Sequence, residues 1–257
     1  MTIEHMKTIL VPTDFSRSAE TALYLAIPIA KAQKAKIVLT YIIAPPVPSG
    51  PYFYGNVAED IKTIRRDAIG RLRALAGKID YAGGIEYELI AGFGGTVEQI
   101  TTLAQQHKAG LIIMGISQKT GFERFVFGTT ALGVIRNSPC PVLAAPEDLR
   151  VAKPMKKITF ATDYAESDRS YLRTMAALAA SLDAELSLMH ISTEEYMPES
   201  EVRIFNDYVQ EVSGELNYPR LSAELLTGDN VETRLLEYLG SGKTDVLGLS
   251  TRDRGFF

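Results

Sequence analysis

Residues Lys7–Ser16 read KTILVPTDFS, and the same pattern returns at Lys156–Ala165 as KKITFATDYA. In both stretches a short apolar run ends in threonine and aspartate, so that Asp14 recurs as Asp163 at an offset of 149 residues. A short apolar run followed by turn-forming residues is typical of a strand that is buried on both faces. The recurrence predicts that one unit, beginning with a strand, is written twice in the chain.

Further matches follow in the same order along the chain. ELIAG at Glu88–Gly92 resembles ELLTG at Glu224–Gly228, and Gly115 recurs as Gly248. Each copy alternates short apolar segments with longer helical ones, which predicts parallel strands covered by helices on both faces. Right-handed crossovers then predict an α/β fold of two doubly wound, Rossmann-like parallel-sheet domains in tandem.

The repeat also sets the expected domain bounds. We place the first domain at residues 1–147 and the second at residues 155–257, joined by a polar linker. By the pattern of the first copy, the second lacks a last helix and strand, so we expect it to be C-terminally incomplete in this chain. Asp229 and Glu232 have the spacing of a capping box, which predicts Asp229 as the N-cap of a helix.

Composition narrows the classes of function. The chain has 257 residues, of which 46% are apolar and 23% charged, as is typical of globular domains. Its net charge of −4 gives no general attraction to nucleic acids or anionic membranes, and Lys153–Lys157 is the only basic stretch evident in the sequence. The uncharged residues 37–58 are interrupted by prolines and glycines, so we expect a loop and no membrane segment.

Cysteine and histidine usage excludes two kinds of site. The single cysteine, Cys140, excludes an internal disulfide framework and a cysteine-based zinc site, and it predicts a cytoplasmic protein with an inert thiol. The three histidines, His5, His107 and His190, lack the spacing of metal ligands. We therefore expect no metal site built from protein ligands alone.

Ligands of open parallel sheets bind beyond the carboxyl ends of the strands. Pro12, Thr13 and Asp14 follow the first strand, Ile42 ends the second, and Gly115 follows the fourth. The carboxylate of an aspartate at such a place can accept hydrogen bonds from ribose hydroxyls or help to hold a cation on a phosphate. The alternative is that Asp14 only caps the first helix or forms the turn before it.

The segment GISQKTGFERFVFGTT, residues 115–130, carries the strongest local signal. Gly115 lets the backbone leave its strand tightly, and Gly128 opens a helix together with Thr129 and Thr130. A helix start offers unpaired N–H groups and the positive end of the helix dipole, and a glycine there lets a phosphate approach closely. The alternative is a glycine-rich connection that binds no ligand.

These motifs together resemble the universal stress protein family, here as two domains in tandem. The family signature is Gly, two residues, Gly, nine residues, Gly, then Ser or Thr; this chain has Gly115, Gln118 in place of the second glycine, Gly128 and Thr129. Pro-Thr-Asp at residues 12–14 and the segment Asn137–Val142 also match. The resemblance implies an adenine nucleotide alpha hydrolase-like fold that binds ATP or AMP, with Mg²⁺ as an accompanying cation.

The resemblance implies that the nucleotide site contains Pro12, Thr13, Asp14, Ile42, Gly115, Gln118, Gly128, Thr129 and Thr130. The first three residues would contact the nucleoside and Ile42 the adenine, while the glycines and threonines would hold ribose and phosphates. Gln118 places a side chain where backbone should approach a phosphate. It would either weaken triphosphate binding or supply an amide donor.

The second copy keeps only part of this pattern. Asp163, Ile191, Gly248 and Gly255 match, but Ala161 replaces the proline before Thr-Asp and the phosphate-binding helix start is not within the chain. We therefore do not expect a complete second nucleotide site.

Three functions remain open at this point. The first is a stress-response regulatory protein, not an enzyme, that binds ATP or AMP in its first domain. The second is a scaffold or dimerisation protein of the same fold that has lost nucleotide binding, and the third is a weak ATPase. The resemblance also implies pairing through the strand at Val142–Ala145, either in a homodimer or between the two copies.

Overall fold

The computed structural model describes residues 6–44, 57–116, 128–147, 149, 154–194 and 197–250. The chain forms two compact units, the first spanning residues 5–152 and the second the chain from residue 153 onward. The division falls within the predicted linker. Within the described residues, no helix is long and apolar enough to cross a membrane.

The first unit contains a five-stranded parallel sheet. Its elements are β1 (Thr8–Pro12), α1 (Arg17–Gln33), β2 (Lys36–Ile43), α2 (Val57–Ala82), β3 (Tyr87–Phe93), α3 (Thr96–Gln106), β4 (Leu111–Ile116), α4 (Thr129–Asn137) and β5 (Val142–Pro146). The strand order is β3-β2-β1-β4-β5. The order reverses between β1 and β4, so the topological switch point lies where these two strands end.

The second unit contains a four-stranded parallel sheet. Its elements are β6 (Lys157–Ala161), α5 (Asp168–Leu182), β7 (Glu185–Ser192), α6 (Glu199–Leu216), β8 (Leu221–Thr227), α7 (Val231–Gly240) and β9 (Val246–Leu249). The order β8-β7-β6-β9 repeats that of the first four strands of the first unit. The predicted fold class, two parallel-sheet α/β units in tandem, is therefore confirmed.

The burial of the strands explains why they are apolar throughout. In β1, Ile9, Leu10 and Val11 are fully buried, since helices cover both faces of the sheet. On one face, Leu10 and Val38 form a cluster with Ile100 of α3 and Val134 of α4. Helix α1 covers β1, β4 and β5 and runs without a break through Pro28, which is exposed.

Strand registers correct two of the sequence matches. β1 pairs with β2 at Thr8↔Lys36 and β6 with β7 at Lys157↔Glu185, both at the offset of 149. On the next strand, Ile37 pairs with Tyr87 and Leu186 with Leu221, and this sets the offset at 134. The ELIAG and ELLTG match has an offset of 136, so it is wrong by two residues as a structural equivalence. The match of Gly115 with Gly248 is also wrong by two residues, because Ile9 pairs with Leu111 and Ile158 with Val246, an offset of 135 between β4 and β9 against 133 between the two glycines. A shift of two keeps each side chain on the same face, which is why the apolar pattern hides it.

The predicted N-cap of α7 is also wrong by one residue. Asn230 is the N-cap, and its side-chain oxygen accepts a hydrogen bond from the Thr233 amide at 2.9 Å. Asp229 precedes the cap, so Glu232 is not the fourth residue of a capping box. Asparagine is as good an N-cap as aspartate, and only the backbone geometry decides between them.

Candidate nucleotide site of the first unit

The turn after β1 places Asp14 at the carboxyl edge of the sheet. The Thr13 side-chain oxygen accepts a hydrogen bond from the Phe15 amide at 3.0 Å, and Asp14 Oδ1 accepts one from the Ser16 amide at 2.9 Å. Ser16 is the N-cap of α1, with its hydroxyl oxygen 3.3 Å from the Ala19 amide nitrogen. Asp14 is thus a turn residue and not the cap. Its side chain is exposed, and its second carboxylate oxygen can face a ligand.

Phe15, in this turn, packs against side chains of β2 and α2. Phe15 adopts a left-handed backbone conformation, with φ of 65°, which is unfavourable for a residue with a bulky side chain. Its ring centroid lies 4.8 Å from that of Tyr41 in β2. The guanidinium carbon of Arg71, in α2, lies 3.8 Å from the same ring centroid. We call Phe15, Tyr41 and Arg71 the aromatic clamp, because together they hold the strained residue next to Asp14.

No local sequence pattern predicts the aromatic clamp as a whole. The repeat carries one signal for it, since an aromatic residue follows Thr-Asp in both copies, as Phe15 and Tyr164. Tyr164 also has a left-handed conformation, with φ of 67°. The roles of Tyr41 and Arg71 come from tertiary contacts and leave no local pattern in the sequence.

Gly115 is required for a different reason from the one predicted. It lies inside β4, paired with Ala145 of β5, and not at the exit of the strand. A Cβ at this position would lie 2.3 Å from the carbonyl carbon of Ser18 and 2.5 Å from the amide nitrogen of Ala19. The first turn of α1 therefore packs directly on the backbone of Gly115, at the switch point between β1 and β4.

The start of α4 keeps the predicted features of an anion site. Gly128 is the N-cap, with φ −65° and ψ 163°, and both Gly128 and Thr129 are exposed. Among the residues that the structure describes, a Cβ at Gly128 would meet nothing within 4 Å. The first turn holds no acidic side chain, so the positive end of the helix dipole is not neutralised from within the helix.

Ile42 and the start of α4 face the same side of the sheet. Ile42 is 8% exposed and belongs to one buried cluster with Ala131, in the first turn of α4. A Cβ at Gly92 would lie 2.7 Å from Ile42 Cδ1, so Gly92 leaves room for this side chain. That Ile42 contacts an adenine stays a prediction.

The site residues thus fall into two groups. Pro12–Asp14, Ile42 and Gly115 lie at or near the carboxyl ends of the neighbouring strands β1, β2 and β4. Gly128, Thr129 and Thr130 lie at the start of the helix that follows β4. Gln118, the residue that departs from the family signature, lies outside the described residues.

Cys140 lies between α4 and β5 and packs against the buried cluster that contains Ile42 and Ala131. Burial raises the pKa of its thiol, while a hydrogen bond with Ser138 acts in the opposite direction. The sulfur lies 3.7 Å from Ser138 Oγ. A raised pKa keeps the thiol protonated near neutral pH, which makes Cys140 a poor nucleophile.

The second unit builds its turn after β6 in the same way as the first. The Thr162 amide donates to the Met189 carbonyl oxygen at 2.9 Å, as Thr13 does to Thr40 at 2.8 Å in the first unit. The Tyr164 amide donates to Thr162 Oγ1 at 2.9 Å. The backbone of the two turns is therefore equivalent as far as Phe15 and Tyr164, after which α5 begins two residues later than α1 does.

The side chains around the second turn differ from those of the first. His190 replaces Tyr41 of the first unit, and its ring centroid lies 4.3 Å from that of Tyr164. Its Nδ1 lies 2.7 Å from the Thr162 carbonyl oxygen and its Nε2 lies 3.2 Å from Glu201 Oε1. Both ring nitrogens of His190 therefore face oxygen atoms of neighbouring residues. Burial, followed by the Glu201 carboxylate, raises the pKa of the Tyr164 hydroxyl.

Comparison with known proteins relates the first unit to one protein family. The model of a family described as the universal stress protein family matches residues 5–146. A universal stress protein of Methanocaldococcus jannaschii is 32% identical over 154 residues, which are 59% of this chain and 85% of that protein.

Solved structures extend the likeness of fold to both units. The crystal structure of a universal stress protein from Archaeoglobus fulgidus has a TM-score of 0.76 at 21% identity, covering 94% of this chain and 86% of that one. One from Pseudomonas aeruginosa has a TM-score of 0.63 at 17% identity, covering 99% and 86%. At these identities the structures show a common fold, while the family match itself covers the first unit.

Proposed function

Because the chain belongs to the universal stress protein family, we propose that its first unit is a regulatory domain that binds an adenine nucleotide, ATP or AMP. The observation that carries the proposal is the exposed glycine cap of α4, with open space where a Cβ would stand. The family membership supports the choice of an adenine nucleotide over other phosphorylated ligands.

The start of α4 supplies what a phosphate needs. The first N–H groups of a helix have no partner within the helix, and the dipole adds a partial positive charge of about +0.5 at this end. Thr129 and Thr130 add hydroxyl donors, and at the cap itself there is no side chain to keep a phosphate away. An anion held this way needs no lysine or arginine.

Asp14 supplies the complementary group for the sugar or for a cation. Its carboxylate is exposed, and the hydrogen bond from the Ser16 amide fixes one of its oxygens. The proposal assigns the other oxygen to a ribose hydroxyl, or to Mg²⁺ on the phosphates of ATP. The aromatic clamp keeps the turn in place, which lowers the entropy lost when the nucleotide binds.

The proposal has further parts. The second unit is a second, divergent domain of the same family, as its equivalent turn and strand order support. The protein acts as a cytoplasmic regulator and not as an enzyme, and it pairs through the last strand of the first unit, β5. The pairing forms either a homodimer or an intramolecular pair between the two copies. Sedimentation of the purified chain distinguishes them, since a persistent monomer would contradict the homodimer and leave the pair within one chain.

The test of nucleotide binding uses the repeat as its own control. Freshly purified chain is denatured with acid, and released small molecules are identified by chromatography and mass. We expect one adenine nucleotide per chain, or binding of added ATP or AMP by titration calorimetry. Asp14→Asn should weaken binding about ten-fold or more, since a hydrogen bond to a charged group contributes about 1.5–3 kcal/mol.

Asp163→Asn makes the same change at the equivalent turn of the second unit, and we expect no effect on nucleotide binding. Equal losses in the two variants would contradict the assignment to the first unit. A chain that releases no nucleotide and binds none would favour the scaffold function. Phosphate release from ATP that disappears in Asp14→Asn would favour the ATPase function.

A further inference from the structure

One side of α2 carries an unusual concentration of positive charge. Lys62, Arg65, Arg66 and Arg73 line a groove of about 520 Å³ together with Ile69 and Gly70. Residues 62, 66, 69 and 73 follow one another at steps of three and four, so they share one face of the helix. They extend over about 16 Å at 1.5 Å per residue. The side chains of Lys62, Arg65, Arg66 and Arg73 are all exposed. We call these four cationic residues the basic stripe.

The basic stripe has no partner among the described residues. Other cations of α2 are engaged within the unit, since Lys78 forms an ion pair with Glu20 and Arg71 lies over Phe15. No ion pair or side-chain hydrogen bond joins the basic stripe to any residue that the structure describes. Like charges three or four residues apart destabilise a helix by about 0.2–0.5 kcal/mol per pair. No ion pair with a residue that the structure describes offsets this cost, which points to an anionic partner.

This patch was not predicted from the sequence, where Lys153–Lys157 is the only basic stretch evident, because the cations of α2 do not form a run of consecutive residues. On α2 the cations are interrupted by Asp67 and Ala68, and only the helical period brings them onto one face. A net charge of −4 for the whole chain also conceals a local excess of positive charge.

The middle of the groove is apolar. Ile69 is half-buried, and Gly70 has no side chain, with nothing within 4 Å of the place where a Cβ would stand. An apolar side chain can therefore enter between the cations and remove Ile69 from water. A partner that fits this groove presents carboxylates on both sides of one apolar residue.

We propose that the basic stripe is a docking surface for an acidic amphipathic helix of a partner protein. The spacing of the cations matches carboxylates placed three and four residues apart on a facing helix. The apolar hollow at Ile69 and Gly70 holds one aliphatic side chain between them.

Other anionic partners fit the groove less well. Nucleic acid would bind these cations through its phosphates or through arginine contacts to guanine. Neither contact makes use of the apolar hollow at Ile69 and Gly70, whereas an aliphatic side chain of a helix does. Helices that lie on membranes present a broad apolar face, whereas Ile69 is the one apolar side chain of this groove. Nucleic acid and membrane are therefore outcomes of the test and not parts of the proposal.

The test measures fluorescence anisotropy with the full chain and a labelled helical peptide. The peptide carries four glutamates around one leucine at steps of three and four, and two control peptides replace the glutamates by glutamine or the leucine by alanine. We expect the glutamate peptide to bind at least ten-fold more tightly than the glutamine peptide. Binding should weaken as salt rises, since the Debye length falls from about 30 Å at 0.01 M to about 10 Å at 0.1 M. The alanine peptide should bind several-fold more weakly than the leucine one.

Two variants of equal charge locate the binding. The first replaces all four residues of the basic stripe by glutamine. The second, a control, makes the same change at four exposed cations elsewhere: Lys7, Lys34, Arg136 and Arg203. We expect the first variant to lose at least ten-fold in peptide affinity and the control to bind like the native chain. Circular dichroism checks that both variants remain folded.

Several results would overturn the proposal. These are a native chain that does not bind the glutamate peptide, or an equal loss in the two variants. A labelled DNA oligonucleotide or phosphatidylserine vesicles that bind more tightly than the peptide, and lose binding in the first variant alone, would assign the surface to a different class of partner. Nucleotide binding should be the same in all three chains, so this test is independent of the proposed function.

Discussion

Replacing Gly128 with aspartate separates phosphate binding at α4 from the stability of the helix. The cap has extended backbone angles, φ −65° and ψ 163°, which any residue adopts, and a Cβ there meets no atom within 4 Å. Aspartate is a better N-cap than glycine by a few tenths of a kcal/mol, and its charge interacts favourably with the helix dipole by about 0.3–1 kcal/mol. We therefore expect Gly128→Asp to unfold at the same or a slightly higher denaturant concentration.

The same carboxylate should oppose a bound phosphate. At a separation of about 5 Å and an effective dielectric constant of about 20, two unit charges repel by about 3 kcal/mol. The cap is exposed, and solvent screening reduces this by about half. A loss of about 1.5–3 kcal/mol corresponds to a ten-fold to hundred-fold weaker affinity for ATP or AMP.

Titration calorimetry with three ligands and two variants tests this reasoning. Gly128→Asn is the matched control, because asparagine caps equally well and has the same shape without the charge. We expect Gly128→Asp to lose ATP and AMP affinity, Gly128→Asn to lose much less, and adenosine binding to be similar in all three proteins. An unchanged ATP affinity in Gly128→Asp would refute the assignment of the phosphates to α4, while a parallel loss of adenosine binding would indicate a general disruption of the site.

Three further changes follow from the packing and the charges. Gly115→Ala should destabilise the first unit by about 1–3 kcal/mol, because its Cβ would meet the backbone of α1. Gly77→Ala on α2, where a Cβ meets no described residue, should instead raise the free energy of unfolding by about 1 kcal/mol. Denaturant unfolding compares the two variants, and equal effects would contradict the close contact at Gly115. Asn230→Ala should lower the free energy of unfolding by about 1 kcal/mol, while Asp229→Ala should lower it much less. Thermal unfolding compares the two variants, and the reverse order would show that Asp229 caps α7 in a capping box with Glu232. The hydrogen bond from Lys36 holds the pKa of Glu88 below its ordinary value of 4.5, so this pair stabilises the fold above that pH and ceases to do so as pH falls through the lowered pKa. Lys36→Met should therefore lower the free energy of unfolding by about 0.5 kcal/mol at neutral pH, a magnitude typical of exposed pairs. The variant should lose nothing once Glu88 is protonated. A loss that is independent of pH would show that the pair does not contribute.

The candidate site was predictable where a local rule applies. Gly128 at the start of a helix, and Asp14 directly after a buried strand, follow from the order of residues along the chain. Gly115 was predicted as a site residue for the wrong reason, because its neighbour is the backbone of α1 and sequence patterns do not show which helix packs on which strand. The aromatic clamp joins Phe15, Tyr41 and Arg71 from three separate elements, and no local pattern connects them.

The class of the fold, with its two parallel-sheet units, and the ends of the first strands follow from the residues alone, since apolar periodicity and turn residues act locally. Only the tertiary structure shows which residues of β3 and β8 are equivalent, that Asn230 caps α7, and on which face of α2 the cations lie. The physical reason is that strand register and helix orientation are set by pairing and packing between distant segments. A change of two residues in register leaves the apolar pattern of a strand unchanged, so only contacts with its neighbour can distinguish the alternatives.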